Sequence, residues 1–432
     1  MTNSWVNWAG DQSCTPASFA DPGSPEDVAA VLAQAEANGH TVRVAGSGHS
    51  FTETVLTDGT LMRLNKLDKI LNVDRESGLV RVEAGRTLNA TSTALHPMGL
   101  AFPNLGDIDV QSIAGATATG THGTGAKLQN LSAALHSVEL MLADGSRVEL
   151  NEQTDPDGWR AARVNVGALG VVTAVTLQMV PSFVLEGVER PIPVEDVLAD
   201  LDSYVDGNEH FEFFMFAHSP LAMTKRNNRV DLPEQPRGKA MDWISDVLVS
   251  NHAFDALCRL TRARPSLIPP VQRAVAYAGS NRRQVERSYQ VFASPRLFRF
   301  TEMEYALPRE HSVDAIREIR EVAKHFDTVM PIEVRWVAPD DAFLSPAGGR
   351  ETCYIAVHQY KGMNYEPYFR ACERVFDRYN GRPHWGKRHF QTAETLRGRY
   401  PDWDKFAAVR HRFDPKGRFT NAYIERVLGP VD

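Results

Sequence analysis

Two glycine-rich segments in the first third of the chain place the strongest constraint on its fold. The first, Gly46-Ser47-Gly48-His49-Ser50, follows a short apolar stretch at 41–45 that is predicted as a strand. The second covers 115–125 and contains only Gly, Ala and Thr apart from His122. Such segments contribute little to a core, and glycine allows a backbone to approach a ligand closely. We therefore expect both segments to line a binding site, with loose surface loops as the alternative.

A cofactor with a pyrophosphate is the ligand that such loops suggest, because their backbone N–H groups form anion-binding concavities. The sequence GSGHSF lacks the GxGxxG spacing of dinucleotide-binding proteins, and no GK[ST] sequence of a P-loop occurs. A conventional NAD site and an NTPase are therefore disfavoured. His49 lies inside the first loop, where it is either a polar hydrogen-bonding group or a residue that bonds to a cofactor or acts as a base.

The order of elements predicts an α+β fold in two domains. A helix is expected between Ser24, a suitable N-cap, and Gly39, and short strands with turn signals follow to about residue 181. Asp144-Gly145 is a hairpin signal in this part. Beyond it, strands alternate with longer helices, expected at 313–325 and 366–379. We expect the domains to cover 1–181 and 182–432.

Composition excludes several classes of protein. The 432 residues can bury a large core, and no long apolar run predicts a membrane span. The four scattered cysteines indicate neither a disulfide framework nor a cysteine-rich metal site, so no metal is expected. Free thiols and the lack of a secretory signal predict a cytoplasmic protein. The net charge of −7 gives no general attraction to nucleic acid.

An arginine-rich stretch at 259–300 stands out against this acidic background. It holds nine arginines and one acidic residue, Glu286. A solvated helical surface is the simpler interpretation, and a patch for anionic lipid or a partner protein is the sharper one. RNA-binding motifs are missing, so nucleic acid is the least favoured partner. The stretch therefore predicts, as one option, peripheral contact with a membrane.

Three segments of the C-terminal half carry residues suited to chemistry. Glu333 and Arg335 point to the same face of the strand expected at 331–336, as a structural ion pair or as functional groups. Lys387 lies in a Gly- and Pro-rich basic segment. His358, on the strand expected at 352–360, is either a hydrogen-bonded core residue or a substrate contact. SxxK, GxSxG and HExxH motifs are missing, which gives acyl transfer and zinc hydrolysis no support.

Taken together, these segments resemble a known family. VRVAGSGHSF, NLGDIDVQSIAGATATGTHGTG and ALGVVTAVTLQMVP are similar to the FAD-binding domain of the vanillyl-alcohol oxidase group, which includes p-cresol methylhydroxylase. MPIEVRW, DDAFLSP, RPHWGK and FDPKGRFTNAYIERVLG are similar to the branch of L-gulono-, L-galactono- and D-arabinono-1,4-lactone oxidoreductases. The similarity covers nearly the whole chain. It implies an N-terminal FAD domain, a C-terminal substrate domain with an antiparallel sheet over the flavin, and a C-terminal segment that returns to the flavin.

The resemblance also implies roles for individual residues. His49 corresponds to the histidine that bonds covalently to the flavin 8α carbon, and Gly106 to a gatekeeper position where glycine leaves oxygen a path to the flavin. Glu333, Arg335, Lys387 and His358 are the expected catalytic residues. The other residues expected to bind the cofactor are Arg43, Val44, Ala45, Gly46, Ser47, Gly48, Ser50, Ser112, Gly115, Ala116, Gly120, Thr121, His122, Gly123, Val172, Asn421 and Tyr423.

The implied reaction is FAD-dependent oxidation of an aldono-1,4-lactone, with L-gulono-1,4-lactone as the best guess and oxygen or another acceptor taking the electrons. Hydride would pass to flavin N5, while Arg335 or Lys387 stabilises the anionic reduced flavin. Glu333 and Lys387 are both candidates for the base. An alditol oxidase on the same scaffold is the nearer alternative, although Asp107 departs from its small polar residue. A flavin-binding interaction protein without turnover is the more distant one.

Overall fold

The computed structural model describes residues 4–235, 251–278, 281–294 and 296–431. Strands and helices both contribute substantially to these ranges. The strands are β1 (Trp5–Val6), β2 (Ser13–Cys14), β3 (Ser18–Ala20), β4 (Val42–Ala45), β5 (Thr60–Arg63), β6 (Ile70–Val73), β7 (Leu79–Glu83), β8 (Leu100–Ala101), β9 (Leu135–Met141), β10 (Arg147–Asn151), β11 (Val171–Gln178), β12 (Val180–Pro181), β13 (Val184–Pro193), β14 (His210–Met215), β15 (Leu221–Arg229), β16 (Arg282–Arg287), β17 (Phe300–Pro308), β18 (Ile332–Val337), β19 (Thr352–Tyr360) and β20 (Arg382–Pro383). The helices are α1 (Pro25–Ala37), α2 (Leu88–Leu95), α3 (Ile113–Ala118), α4 (Pro156–Arg163), α5 (Val194–Ala199), α6 (Leu201–Asp206), α7 (Phe254–Ala263), α8 (Ile268–Ala278), α9 (Ser288–Phe292), α10 (Ser312–Ala323), α11 (Glu366–Arg378), α12 (Ala393–Arg397), α13 (Trp403–Phe413) and α14 (Ala422–Leu428).

Small sheets and short helices make up the N-terminal part. A three-stranded parallel sheet has the order β3-β5-β4, and an antiparallel sheet has the order β10-β9-β11-β7-β6. The predicted helix at 24–39 is confirmed as α1, because the Ser24 side chain accepts a hydrogen bond from the N–H of Asp27. The Asp144-Gly145 hairpin is confirmed between β9 and β10. The second glycine-rich segment is less irregular than its composition suggests, because α3 runs into it.

An eight-stranded antiparallel sheet dominates the C-terminal part, with the order β16-β13-β15-β14-β18-β19-β17-β20. Alternate residues of its central strands face opposite sides. One side is apolar: Phe213, Trp336, Ile355 and Tyr305 are buried in a single core with residues of α10 and α11. The two helices predicted in this half are confirmed as α10 and α11, with ends that differ by one or two residues. The other side of the sheet carries polar side chains.

The chain end packs back against the N-terminal part. Tyr423, Ile424 and Val427 of α14 belong to the same hydrophobic core as β7, β9 and β11. Asn421 caps α14 by accepting a hydrogen bond from the N–H of Ile424. The architecture is therefore α+β in two parts, as the sequence predicted, with an N-terminal group of small sheets and a C-terminal large sheet. Among the described helices, none has the length and apolar character needed to cross a membrane.

Candidate active site

One cavity, named here the loop cavity, lies between the loop after β4, the start of α3 and the segment 165–172. It holds about 980 Å³, counting the solvent at its mouth. Eleven residues expected to bind the cofactor line it: Arg43, Val44, Ala45, Gly46, Ser47, Gly48, His49, Ser50, Ser112, Gly115 and Val172. The two glycine-rich segments therefore meet at a single cavity.

The loop cavity has the features that a pyrophosphate requires. In the described ranges, the backbone N–H groups of residues 47–50 donate to no protein acceptor, which leaves them available to an anion. A Cβ at Gly46 would overlap Oγ of Ser112, so the two segments can approach this closely only with glycine. FAD carries a pyrophosphate between its two halves, and the residues present fit it.

The Arg43 guanidinium bonds to backbone carbonyl oxygens around this cavity and is not a free cation directed into it. Its side chain donates hydrogen bonds to the carbonyl oxygens of Thr54, Val166 and Phe419 at 2.7, 3.0 and 2.7 Å. Burial lowers its pKa to about 9. Val166 also lines the cavity with a φ of 49°, a left-handed conformation that is strained for a β-branched residue. The Arg43 side chain therefore holds strained backbone in place, a role that the sequence did not predict.

Five of the expected cofactor residues line neither this cavity nor the one described next: Ala116, Gly120, Gly123, Asn421 and Tyr423. The last two lie in the C-terminal segment and donate hydrogen bonds to backbone carbonyl groups elsewhere in the chain. Asn421 Nδ2 donates to the carbonyl oxygens of Glu53 and Leu56 at 2.9 and 2.8 Å. The Tyr423 hydroxyl donates to the carbonyl oxygen of Trp385 at 3.2 Å. The C-terminal segment therefore braces residues 53–56, which follow the loop that carries His49, and the backbone at Trp385.

A second cavity, named the sheet cavity, lies over the polar face of the large sheet and holds about 1220 Å³ with its mouth. Strands β14, β18, β19 and β17 are neighbours in that sheet and form its floor. The expected residues that line it are Glu333, Arg335, His358, Lys387, Gly106, Thr121 and His122. Gln111 lines both cavities, so the sheet cavity and the loop cavity adjoin.

Arg335 lies at the centre of a buried ion-pair network. Its guanidinium is 2.8 Å from Asp107 Oδ2 and 2.9 Å from Glu212 Oε2, and it also pairs with Glu333. Lys225 Nζ is 2.8 Å from Glu212 Oε1. Although burial opposes its charge, the carboxylates of Asp107 and Glu212 raise the pKa of Arg335. Arg335 is therefore fixed in orientation and permanently charged.

The pKa of Glu333 is shifted in the opposite direction from that of its neighbour Asp107. Burial raises the pKa of Glu333 to about 8, and the nearby carboxylates outnumber the single arginine that opposes the shift. Asp107 is also buried, but Arg335 and Lys225 outweigh the burial and lower its pKa. At neutral pH, Glu333 is therefore mostly a neutral carboxylic acid, whereas Asp107 is ionised.

His358 presents one basic nitrogen to the sheet cavity. Its Nδ1 lies 2.9 Å from the carbonyl oxygen of Pro331, and a carbonyl only accepts, so Nδ1 carries the proton. Nε2 is 3.6 Å from Glu302 Oε1 and 3.8 Å from Glu333 Oε2. Burial lowers the pKa of His358, which keeps the ring neutral.

Lys387 pairs with Glu302 at the same cavity. Burial disfavours its charge, but Glu302 and Glu304 raise its pKa above the usual value. The ammonium group is therefore charged and held in place. Because a proton acceptor must be unprotonated, this geometry argues against Lys387 as the base.

His122, Glu304 and His384 form a further buried group beside the cavity, close enough to hold a metal ion. His122 lies with Nδ1 2.8 Å from the carbonyl oxygen of Gly123 and Nε2 3.2 Å from Glu304. His384 Nδ1 accepts from the N–H of Gly386, so its other nitrogen carries the proton. Three of the four ring nitrogens thus lie within bonding distance of protein groups, and we assign no metal to this group.

Sequence reasoning missed several residues that line or adjoin the two cavities. Glu302 and Glu304 alternate along β17 and so share a face, which was the available signal. Glu212 pairs in register with Arg335 across β14 and β18, a contact that sequence spacing alone does not show. Trp8, whose ring stacks on His49 with centroids 5.1 Å apart, had no sequence signal.

Comparison with known proteins places these observations in a family. Residues 175–427 match the family model described as D-arabinono-1,4-lactone oxidase, and residues 16–151 match an FAD binding domain. An L-gulono-1,4-lactone dehydrogenase of Mycobacterium tuberculosis is 47% identical over 432 residues and covers 100% of both chains. The L-gulonolactone oxidase of Mus musculus is 32% identical, covering 98% of this chain and 97% of its own.

Two further proteins are informative about the scaffold. An alditol oxidase of a Streptomyces species is 32% identical and covers 99% of this chain and 100% of its own. The crystal structure of cholesterol oxidase from B. sterolicum superimposes with a TM-score of 0.83 at 17% identity, covering 100% of this chain and 97% of that one. The second similarity concerns the fold alone.

Proposed function

The chain belongs to the D-arabinono-1,4-lactone oxidase family of FAD-binding proteins, and from that premise we propose that it oxidises an aldono-1,4-lactone, with L-gulono-1,4-lactone as the first candidate. The observation that carries this proposal is the junction of the two cavities. A loop cavity suited to FAD adjoins a sheet cavity that holds Glu333, Arg335, His358 and Lys387. A hydride acceptor and the groups that handle a hydroxyl proton would thus meet at one place.

FAD, when bound, accepts a hydride from the substrate carbon at its N5 atom. We propose that the N–H groups of residues 47–50 hold its pyrophosphate and that His49 bonds covalently to its 8α carbon. The alternative is FAD held by noncovalent contacts alone. Acid precipitation separates the two, because a covalent flavin stays with the denatured protein.

His358 is the proposed base. Its Nε2 is the unprotonated ring nitrogen, and it faces the cavity between Glu302 and Glu333. Glu333, neutral at pH 7, can donate a hydrogen bond to a substrate oxygen and so orient the hydroxyl. Arg335 and Lys387 would supply fixed positive charge for the negative charge that develops on the flavin when it accepts the hydride.

The test of this function is anaerobic reduction of the holoprotein. Addition of L-gulono-1,4-lactone should bleach the flavin absorbance, whereas xylitol and sorbitol should bleach it far more slowly. Faster bleaching by the polyols would instead support an alditol oxidase, which the 32% identical Streptomyces relative keeps as the second candidate. Air is then admitted: rapid return of the yellow colour indicates oxygen as acceptor, and slow return indicates another acceptor. Failure of every sugar to reduce the flavin would favour the non-catalytic alternative.

Three finer points remain proposals. We place the domain boundary at 181/182, because β12 pairs with β8 of the N-terminal part and β13 starts the large sheet. The N-terminal domain would bind FAD and the C-terminal domain the substrate. The cytoplasmic location expected from the sequence stays a prediction.

Peripheral membrane contact through 259–300 is also a proposal. Helices α7 and α8 expose Leu260 and Tyr277 at 44% and 67% beside several arginines, a combination typical of interfacial surfaces. Arg283 pairs with Glu186, however, which reduces the free charge. Residues 279–280 and 295 of the stretch lie outside the described residues. Sedimentation with anionic vesicles, and not with neutral ones, is the expected result.

A further inference from the structure

The N-terminal hairpin of β1 and β2 holds the loop that carries His49. The backbone N–H of Trp8 donates to the carbonyl oxygen of Gly48 at 2.7 Å. The side chain of Asn7 donates to the carbonyl oxygen of Ser50 at 3.1 Å. These two bonds lie on either side of His49 in the sequence. The hairpin tip therefore fixes the backbone from which the imidazole projects.

The Trp8 indole covers one face of the His49 ring. Their centroids are 5.1 Å apart and their planes differ by 23°, which is a stacked arrangement. The indole is held from two further sides, because Phe300 contacts it edge-on at 5.3 Å and the Arg299 guanidinium lies 4.6 Å from its ring centroid. His49 also lines the loop cavity. The imidazole is thus confined between a fixed indole and the proposed place of the flavin.

The charged groups that act on His49 are both cations. Arg299 precedes β17, and Lys387 follows β20, where it is paired with Glu302. Burial first, and then these two cations, lower the pKa of His49 to about 4. A neutral imidazole keeps the nitrogen lone pair that bond formation requires.

We propose that Trp8 and Arg299 are positioning residues for attachment of the flavin to His49: the indole aims the imidazole at the flavin, and the guanidinium, which lies over the indole, holds the indole in place and adds positive charge near the imidazole. This inference rests on the proposed covalent FAD. In the attachment step, the unprotonated His49 nitrogen would form a bond to the 8α-methyl carbon, the other ring nitrogen would give up its proton, and the methyl group would lose one hydrogen as a proton. Two electrons remain in the flavin, which takes up two protons. Dioxygen reoxidises it and forms hydrogen peroxide.

The experiment follows attachment rather than turnover. The full chain is prepared without flavin, mixed with FAD in air at pH 5.5 to 8.5, and precipitated with acid at intervals. The yellow colour in the pellet measures covalent flavin, and quenching of flavin fluorescence before precipitation measures total binding. Variants are Trp8→Leu, Trp8→Phe and Arg299→Gln. Arg262→Gln is the matched control, because Arg262 also lies over an aromatic ring, that of Tyr360 at 5.5 Å.

Attachment in the wild type should be nearly independent of pH in this range. Trp8→Leu should slow it by about tenfold to a hundredfold at every pH with total binding unchanged, and Trp8→Phe should restore most of the rate. Arg299→Gln should slow attachment at every pH because the indole loses a contact, and it should slow it most at pH 5.5, because loss of this cation raises the His49 pKa while burial and Lys387 continue to lower it. The control should match the wild type throughout.

Two results would overturn the inference: variants that attach FAD as fast as the wild type at every pH, or variants that lose total FAD binding in parallel with attachment. The second would mean that Trp8 and Arg299 only stabilise the FAD-binding site. A wild type that binds FAD without ever retaining colour in the pellet would refute both the covalent bond and this inference. Lactone-dependent bleaching in that protein would still support the proposed oxidation, so the two failures are distinguishable.

Discussion

Replacement of Glu333 by Gln should make the protein more stable, and the gain should grow with pH. The pKa of this carboxyl rises from 4.5 to about 8 in the folded chain because the group is buried among other carboxylates. Between these values the folded state holds a proton that the unfolded state has released. Stability therefore falls as the pH rises through this window, and the loss is complete above pH 8.

The magnitude follows from the shift. Each pH unit within the window costs about 1.4 kcal/mol, so the wild type should lose on the order of 4 kcal/mol of unfolding free energy between pH 5 and pH 8 through this group. Glu333→Gln removes the ionisable proton but keeps an oxygen that can face Arg335. The difference between variant and wild type should thus be smallest at pH 5 and increase to several kcal/mol at pH 8.

Urea unfolding of both proteins at pH 5.0, 6.5 and 8.0, at equal FAD loading, measures this difference. The value at pH 5.0 is the baseline, since it contains the effects of the substitution that do not depend on ionisation. A difference that stays constant across the three pH values would show that Glu333 ionises at its ordinary pKa. The neutral carboxylic acid on which the proposed hydroxyl orientation depends would then be wrong.

Three other substitutions test separate parts of the site. Lys387→Met should slow flavin reduction by the lactone at least about a hundredfold in stopped-flow traces. The substitution removes a fixed cation and leaves the buried Glu302 carboxylate without its lysine partner. An unchanged rate would exclude a role of Lys387 in catalysis. Gly106→Ala should slow reoxidation of the reduced flavin by air and leave the rate of flavin reduction intact. The new Cβ would lie at the sheet cavity, 3.0 Å from the His122 carbonyl oxygen. Equal reoxidation rates in variant and wild type would contradict the gatekeeper assignment. Arg43→Met should lower the unfolding free energy by about 3 kcal/mol and weaken FAD binding, because several buried carbonyl groups lose their donor; unchanged melting would contradict the bracing role.

The parts of the site that could be predicted from the sequence are those whose geometry depends on residues within one short segment. Glu333 and Arg335 are two residues apart, and the two-residue period of a strand alone places them on one face. The glycine-rich loops likewise indicate that backbone approaches a ligand closely, and in the structure both loops line one cavity. The same local signals predicted α1, α10 and α11.

Residues whose role depends on distant partners could not be predicted in this way. Glu302 is 85 positions from Lys387 in the chain, and only the sheet order β14-β18-β19-β17 brings β17 beside the strand of His358. Arg43 was expected to contact the cofactor, but the sequence does not show which buried carbonyl groups lack a donor. Trp8 gains its position from a hydrogen bond to Gly48 and a stack on His49.

The charges of the sheet cavity also bear on which sugar derivative can enter it. The charge of Arg335 is matched by the ionised Asp107 and Glu212, and that of Lys387 is matched by Glu302. An aldonate carboxylate would therefore have to enter beside these ionised acids or displace one of them, and either change disturbs buried ion pairs at a cost of several kcal/mol. A closed lactone ring carries no charge and needs only hydrogen bonds from groups such as His358 and neutral Glu333. The ion pairs thus favour the ring form over its hydrolysed acid, while they hold in place Arg335 and Lys387, the two cations that we propose for the oxidation.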